Sequence, residues 1–156
     1  MARRALIPGT FDPFTVGHLE LVRIAAALFD EVVVCILVNP EKKHLFDEDT
    51  RLEMIRTAVS AYENVRVDID HGYTADYAER IGADFIVRGI RNETDAKYEL
   101  PMADFNRRRT GVQTLLIPAP EELAEVSSTR VRATLAEGKS AEALVPDAVQ
   151  EKLRNG

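Results

Sequence analysis

The 156-residue chain is predicted to fold as α/β, a doubly wound five-stranded parallel sheet with helices on both faces, in one domain over residues 1–156. Three observations predict it. Val32 to Val38 is an unbroken apolar run rich in β-branched residues, the mark of a central strand covered on both sides. Strand-like and helix-like segments alternate almost throughout, which implies right-handed crossovers between parallel strands. The unusual polar residues follow strand ends, where open sheets of this kind bind their ligands.

In order along the chain, residues 4–8 read as a buried strand and 16–29 as an amphipathic helix, with Leu19, Val22, Ile24, Ala26 and Leu28 among its apolar positions. After the central strand, Thr50-x-x-Glu53 has the form of a capping box opening a helix through about Ala61. Asp47, Glu48 and Asp49 before it complement the positive end of that helix. Val65 to Ile69 alternates and predicts a third strand, followed by a helix over about 74–81 and a short strand at 85–87. Residues 94–109 predict a helix that Pro101 should kink or locally break. Gln113 to Ile117 is the fifth strand. Ser127 to Glu137 predicts a capped helix, and Pro146 to Leu153 another with Pro146 at its first position. No internal repeat, low-complexity segment or linker interrupts this order.

Composition narrows the function classes. A net charge of −6 argues against general nucleic-acid binding, which needs a basic face, but not against a small polyanion held by local positive charge. No stretch approaches the roughly 20 apolar residues of a membrane span. Arg3-Arg4 are followed by only three apolar residues before Pro8-Gly9, which does not read as a signal peptide. The single Cys35 lies in an apolar run and predicts a buried free thiol. These features predict a cytoplasmic protein with no nucleic-acid or membrane partner. His18, His44 and His71 with one cysteine show no metal-ligand spacing. Gly-x-x-x-x-Gly-Lys-(Ser/Thr) and Gly-x-Gly-x-x-Gly are both missing, as are a nucleophile elbow and a convincing Cys/His pair.

The chemistry is concentrated after the strands. Ala5-Leu6-Ile7 runs into Pro8-Gly9-Thr10-Phe11-Asp12-Pro13 and then Thr15-Val16-Gly17-His18. A helix N-terminus offers free N–H groups to an anion, and a glycine lets a phosphate approach the backbone. His18, in the first turn, would point at whatever occupies that site. Asn39-Pro40-Glu41-Lys42 follows the second strand and Gly72-Tyr73-Thr74 the third. Lys42 and Lys43 are either a solvated pair or phosphate contacts, and their shared sheet edge with Thr10 favours phosphate for one of them. Arg88-Gly89-Ile90-Arg91 follows the fourth strand; its guanidinium forks suit bidentate phosphate binding, or could pair with surface carboxylates. Val126-Ser127-Ser128-Thr129 precedes a helix carrying Arg130 and Arg132, and a hydroxyl-rich helix start is at once a cap and a phosphate cradle. Arg107-Arg108-Arg109 reads as a dipole complement on a solvated helix end.

Gly9 to Pro13 with Thr15-x-Gly17-His18 resembles the nucleotidylyltransferase superfamily and its (His/Thr)-x-Gly-His motif, specifically the phosphopantetheine adenylyltransferase branch. The likeness runs over essentially the whole chain and is strongest from Gly9 to His18 and from Arg88 to Arg91. It implies a Rossmann-like fold and transfer of the adenylyl group of ATP to 4′-phosphopantetheine, giving dephospho-coenzyme A and pyrophosphate by direct in-line attack. It implies catalytic roles for Thr10, His18, Lys42 and Arg91. ATP contacts are implied for Thr10, Phe11, His18, Gly89, Ile90, Arg91, Tyr98, Glu99, Val126, Ser127, Ser128 and Thr129. Phosphopantetheine contacts are implied for Thr10, Lys42, Thr74 and Arg88. Mg²⁺ is expected through ATP phosphates and water rather than a carboxylate cage, and a homohexamer is implied. The chain departs from the family pattern at Thr74 (usually aliphatic), at Asp95-Ala96-Lys97-Tyr98-Glu99, at Pro101, and in the aromatic-poor Glu121 to Glu125. These departures touch the acceptor arm and the adenine side, not the phosphate machinery. A superfamily member with another phosphorylated acceptor, or a silent nucleotide-binding paralogue, are the competing readings. An acceptor competition assay separates the first, and ATP binding without pyrophosphate release identifies the second.

Overall fold

A computed structural model describes residues 2–38 and 40–155. Its five strands are β1 (Arg4–Gly9), β2 (Glu31–Leu37), β3 (Val65–Asp70), β4 (Phe85–Ile90) and β5 (Gln113–Pro118). All pairs are parallel, in the order β3-β2-β1-β4-β5. Helices α1 (Val16–Leu28), α2 (Glu48–Ala58), α3 (Thr74–Arg80), α4 (Glu93–Thr110), α5 (Ser128–Ala136) and α6 (Asp147–Asn155) cover the sheet. The predicted doubly wound sheet is the observed one.

Alternation along the strands splits the core into two. Ala5, Ile7, Val32, Val34 and Ile36 pack with Leu21 and Val22 of α1, Met54 and Ile55 of α2, and Val131 of α5. Leu6, Val33, Cys35 and Ile86 face the other way, against Tyr77 and Ala78 of α3. Cys35 is the buried free thiol expected, and burial pushes its pKa up to about 12.

The strand order reverses beside β1, and the register there makes the site. β1 meets β4 at only two rungs, Ala5 opposite Phe85 and Leu6 opposite Ile86. Beyond them β1 continues with β2 as far as Gly9 opposite Ile36, while β4 continues with β5 as far as Ile90 opposite Pro118. The two strands therefore part at their carboxyl ends, which is where a sheet with a topological switch binds its ligand.

Five local expectations are corrected. The cap of α2 is Asp47, whose Oδ1 accepts from the Thr50 N–H at 2.8 Å, so the helix starts before Thr50 and draws Glu48 and Asp49 into its first turn. It ends at Ala58, short of Ala61. β4 is twice the predicted length, so Arg88 and Gly89 lie within the strand rather than after it. α4 runs unbroken through Pro101. Proline withdraws the N–H that Lys97 O would accept, but both residues are exposed and water can serve that carbonyl. Pro146 stands just before α6, not inside it, and its carbonyl accepts from Gln150 N at 3.0 Å.

Candidate active site

The parted ends of β1 and β4 open into a cleft of about 730 Å³. Every residue assigned a role from the sequence lines it: Thr10, Phe11, His18, Lys42, Thr74, Arg88, Gly89, Ile90, Arg91, Tyr98, Glu99, and the run from Val126 to Thr129. Asn39 lies outside the described residues.

His18 is built into the cap of its own helix. Thr15 is the N-cap of α1, and its Oγ1 accepts from the His18 N–H at 3.2 Å. In return the Thr15 backbone N–H donates to His18 Nδ1 at 3.0 Å, so the imidazole takes the place that Glu or Gln occupies in an ordinary capping box. With Nδ1 accepting, the proton of the neutral ring sits on Nε2. The rings of Phe11 and Phe14 fix its plane, with centroids 4.9 and 5.5 Å away, the first edge-on. Burial, then the positive charges of Arg88 and Arg91, push the pKa of His18 down to about 3. The ring is a neutral N–H donor over the working pH range.

Gly9 explains itself through Phe11. Phe11 has φ 51, which turns its ring back over the strand end, and a Cβ on Gly9 would lie 2.8 Å from that ring.

Arg88 bridges the gap between the parted strands. Its Nη1 donates to Pro8 O of β1 at 2.6 Å, while Nε and Nη2 clasp the Glu99 carboxylate at 3.0 and 2.7 Å. Glu99, expected as a nucleotide contact, is thus 6% exposed and serves first as the clamp on Arg88. Arg91 is held likewise by Asp95, from Nε at 2.9 Å and Nη2 at 3.1 Å. Burial opposes ionisation of Asp95, but the Arg91 guanidinium and N–H outweigh it and hold the carboxyl below its usual range.

Sequence reasoning missed the brace beneath the lysine loop. Asp12, 2% exposed, accepts from the Leu45 N–H at 2.7 Å and the Phe46 N–H at 2.9 Å. Arg51, 1% exposed, donates from Nε to Phe46 O and from Nη1 to Thr10 O, at 3.0 and 2.8 Å. Together they tie the loop carrying Lys42 to the turn carrying Thr10. A signal existed: Arg51 shares a helical face with Met54 and Ile55, an apolar position for a charge. Arg132 completes the brace, donating from Nη1 to Asp12 O at 2.8 Å and from Nη2 to Thr129 Oγ1 at 3.2 Å.

At the start of α5, Ser127 Oγ accepts from the Arg130 N–H at 3.0 Å, and Ser128 Oγ donates to Pro13 O at 2.7 Å. The helix is thereby docked on the β1–α1 turn with first-turn N–H groups at the cleft. Arg107 and Arg108 pair with Asp104, and Arg109 with Asp76, away from the cleft, as their reading as surface charge anticipates. Among the described residues no group of three or more His, Cys, Asp or Glu stands where it could hold a metal ion. No described helix is long and apolar enough to cross a membrane.

The arrangement is a set of positioned phosphate donors around one neutral imidazole, which fits nucleotidyl transfer. Comparison with known proteins agrees. The cytidylyltransferase-like family matches residues 6–134. A phosphopantetheine adenylyltransferase of Kocuria rhizophila is 44% identical over 98% of this chain and 99% of its own. Proteins of the same name from Pseudarthrobacter chlorophenolicus and Streptomyces coelicolor are 41% and 40% identical, over 99% and 98% of this chain and 93% and 99% of theirs. Among solved structures, a candidate nicotinate-nucleotide adenylyltransferase from Vibrio parahaemolyticus superposes with a TM-score of 0.70 at 20% identity, over 98% of this chain and 99% of that one, and shares the fold. With the fold, the cleft and these full-length relatives in agreement, this chain belongs to the phosphopantetheine adenylyltransferase family of nucleotidyltransferases.

Proposed function

We propose that the protein transfers the adenylyl group of ATP to 4′-phosphopantetheine, forming dephospho-coenzyme A and releasing pyrophosphate. The observation that carries this reading is His18, held neutral with Nε2–H free, in a cleft with Lys42, Arg88 and Arg91. A phosphate oxygen of the acceptor attacks the α-phosphorus of ATP, the new P–O bond forms, and the bond to the β-phosphate breaks with its electron pair on pyrophosphate. No protein nucleophile intervenes: Ser127 and Ser128 spend their hydroxyls on the helix cap and on Pro13 O. His18 Nε2–H donates to the oxygens of the transferring phosphoryl group as charge builds there. Lys42 and Arg88 hold the acceptor phosphate beside Thr10, and Arg91 with the start of α5 holds the nucleotide phosphates. Tyr98 and Ile90 line the nucleotide end of the cleft.

ATP enters as its magnesium complex. The cleft carboxylates Asp12, Glu20, Asp95 and Glu99 are committed to backbone N–H groups and guanidinium groups, so the ion would be carried by phosphate oxygens and water. We place the reaction in the cytoplasm, in a homohexamer; exposed Leu100, Met102 and Phe105 on α4, with Tyr73 beside them, support contact with other copies. The test is pyrophosphate release from Mg²⁺-ATP with and without 4′-phosphopantetheine. Acceptor-dependent release with dephospho-coenzyme A as product is expected. Release with a different phosphorylated acceptor, or ATP binding without release, would reject the assignment.

A further inference from the structure

Among the described residues, two buried side-chain polar atoms have no hydrogen-bond partner, His44 Nε2 and Thr114 Oγ1, and both residues line the cleft. Thr114 is the more informative, because the regular sheet fixes its place. In the β4–β5 ladder Thr114 stands opposite Ile86, and Leu116 opposite Arg88. Thr114 therefore shares a sheet face with Arg88 but sits one pleat, about 7 Å, further in from the carboxyl ends. α4 runs back over the same face. Its Glu99 clamps Arg88 at the mouth, and Asn106, seven residues or about two turns on, is buried at the inner end. The Asn106 side-chain amide also bonds no other described residue, and Thr74 lines the same cleft from the start of α3. Charged donors thus occupy the mouth, and neutral hydrogen-bonding groups the depth.

A buried hydroxyl with no protein partner destabilises the fold, and valine would fill the same space without that penalty. The orphan has a use if the ligand completes it. We infer that Thr114 is a specificity-determining residue of this cleft: its hydroxyl hydrogen-bonds an amide of the acceptor's arm, one pleat inward from the phosphate site. The inference rests on the proposed activity and adds to it the group that reads the arm. Phosphopantetheine has this chemistry, an amide a few bonds beyond its phosphate, whereas a phosphorylated acceptor with a purely aliphatic arm would leave the hydroxyl orphaned.

The experiment compares wild type, Thr114→Val and Thr114→Ser. Thr114→Val is expected to melt, without ligand, at or above the wild-type temperature. Its KM for 4′-phosphopantetheine should rise about 10-fold, the loss of one neutral hydrogen bond, with KM for ATP within twofold. Thr114→Ser should restore the acceptor KM. An unchanged acceptor KM in Thr114→Val overturns the inference, and so does a lower melting temperature with both KM values raised, which would mark the hydroxyl as structural. If wild type fails to turn over phosphopantetheine, the proposed activity falls. Calorimetric titration of phosphopantetheine into wild type and Thr114→Val then decides the hydroxyl's role, because weaker binding by the variant supports it and equal or undetectable binding rejects it.

Discussion

Two substitutions at one position separate the cap that His18 forms in the structure from the transition-state donor proposed for it. His18→Ala removes the Nε2–H donor, and losing one such donor typically raises the barrier by about 2.7–4 kcal/mol, or roughly 10²–10³ in kcat. It also removes the acceptor of the Thr15 N–H at 3.0 Å and the edge-on contact with Phe11 at 4.9 Å. Those are worth about 1 kcal/mol for the hydrogen bond and about 0.5–1.5 kcal/mol for the ring pair. A total near 2 kcal/mol in a domain of this size lowers Tm by about 4–8 °C. His18→Gln behaves differently, because Gln at this helical position is a natural capping-box partner whose oxygen can accept from Thr15 N–H. It should recover about 2–4 °C of that loss while kcat stays as low as in the alanine variant, since its amide is drawn to the cap and away from the cleft. The assays are thermal melting without ligand and pyrophosphate release at saturating Mg²⁺-ATP and phosphopantetheine. A kcat within tenfold of wild type in His18→Ala refutes the role of transition-state donor. A kcat that recovers in step with Tm in His18→Gln reduces the histidine to a cap.

The pH dependence of the same residue is the next test. Its folded pKa near 3 lies below the free value of 6.5, so between these the unfolded chain binds a proton that the native chain does not. Stability from this group is therefore present above pH 6.5 and lost as pH falls toward 3, at up to about 1.4 kcal/mol per pH unit; urea titrations should show this slope reduced in His18→Gln, and an equal slope in both proteins counts against it. Asp12→Asn keeps one acceptor oxygen but sets an NH₂ against the second backbone N–H, so it should cost roughly 2–4 kcal/mol by chemical denaturation and raise the acceptor KM through the loosened Lys42 loop; a wild-type KM would show that the brace does not reach Lys42. Gly9→Ala and Gly89→Ala should part company. A Cβ on Gly9 meets Phe11 at 2.8 Å and must shift the ring that orients His18, lowering both Tm and kcat, whereas one on Gly89 meets Leu21 at 3.7 Å, an ordinary contact. Gly89→Ala should melt within about 2 °C of wild type and lose ATP affinity by narrowing the cleft, and normal ATP binding would remove Gly89 from the site.

The sheet was legible because its signals are local. A β-branched run such as Val32 to Val38 announces a central strand without reference to any other part of the chain. The Thr-x-Gly-His segment was equally legible, since one short stretch carries the strand end, the cap and the imidazole. What escaped were pairings between distant residues. Arg51 reaches Thr10 across 41 positions and Arg88 reaches Pro8 across 80, and no window of sequence contains both ends. Glu99 carries a motif position and lines the cleft, and only the folded chain shows that its carboxylate also clamps Arg88. The helix start at Asp47 was misread for another reason. Asp47 and Thr50 are both acceptable caps, and only the folded chain shows that the carboxylate of Asp47 takes the Thr50 N–H.

These distant pairings also resolve how a chain with net charge −6 can hold two polyanions. The arginines of the cleft are gripped from behind, Arg88 by Glu99 and Pro8 O, Arg91 by Asp95, and Arg132 by Asp12 O. A guanidinium has five N–H bonds in a fixed fork. Arg88 spends its Nε–H, one Nη1–H and one Nη2–H on those partners, which leaves two donors in fixed directions. The cleft is therefore not a concentration of unbalanced positive charge, yet its donors are already in place and need no reorganisation when phosphate charge arrives. Lys42 and Lys43 are the opposite case, because neither forms an ion pair with another described residue and both sit on the loop that Asp12 ties down at Leu45 and Phe46. In the proposed mechanism the fixed arginines set where the phosphates lie, and the lysine's flexible ammonium follows the charge as it moves from acceptor to transferring group. Adenylyl transfer needs both, since the reacting oxygens must be aligned beforehand while the charge they carry shifts during the step.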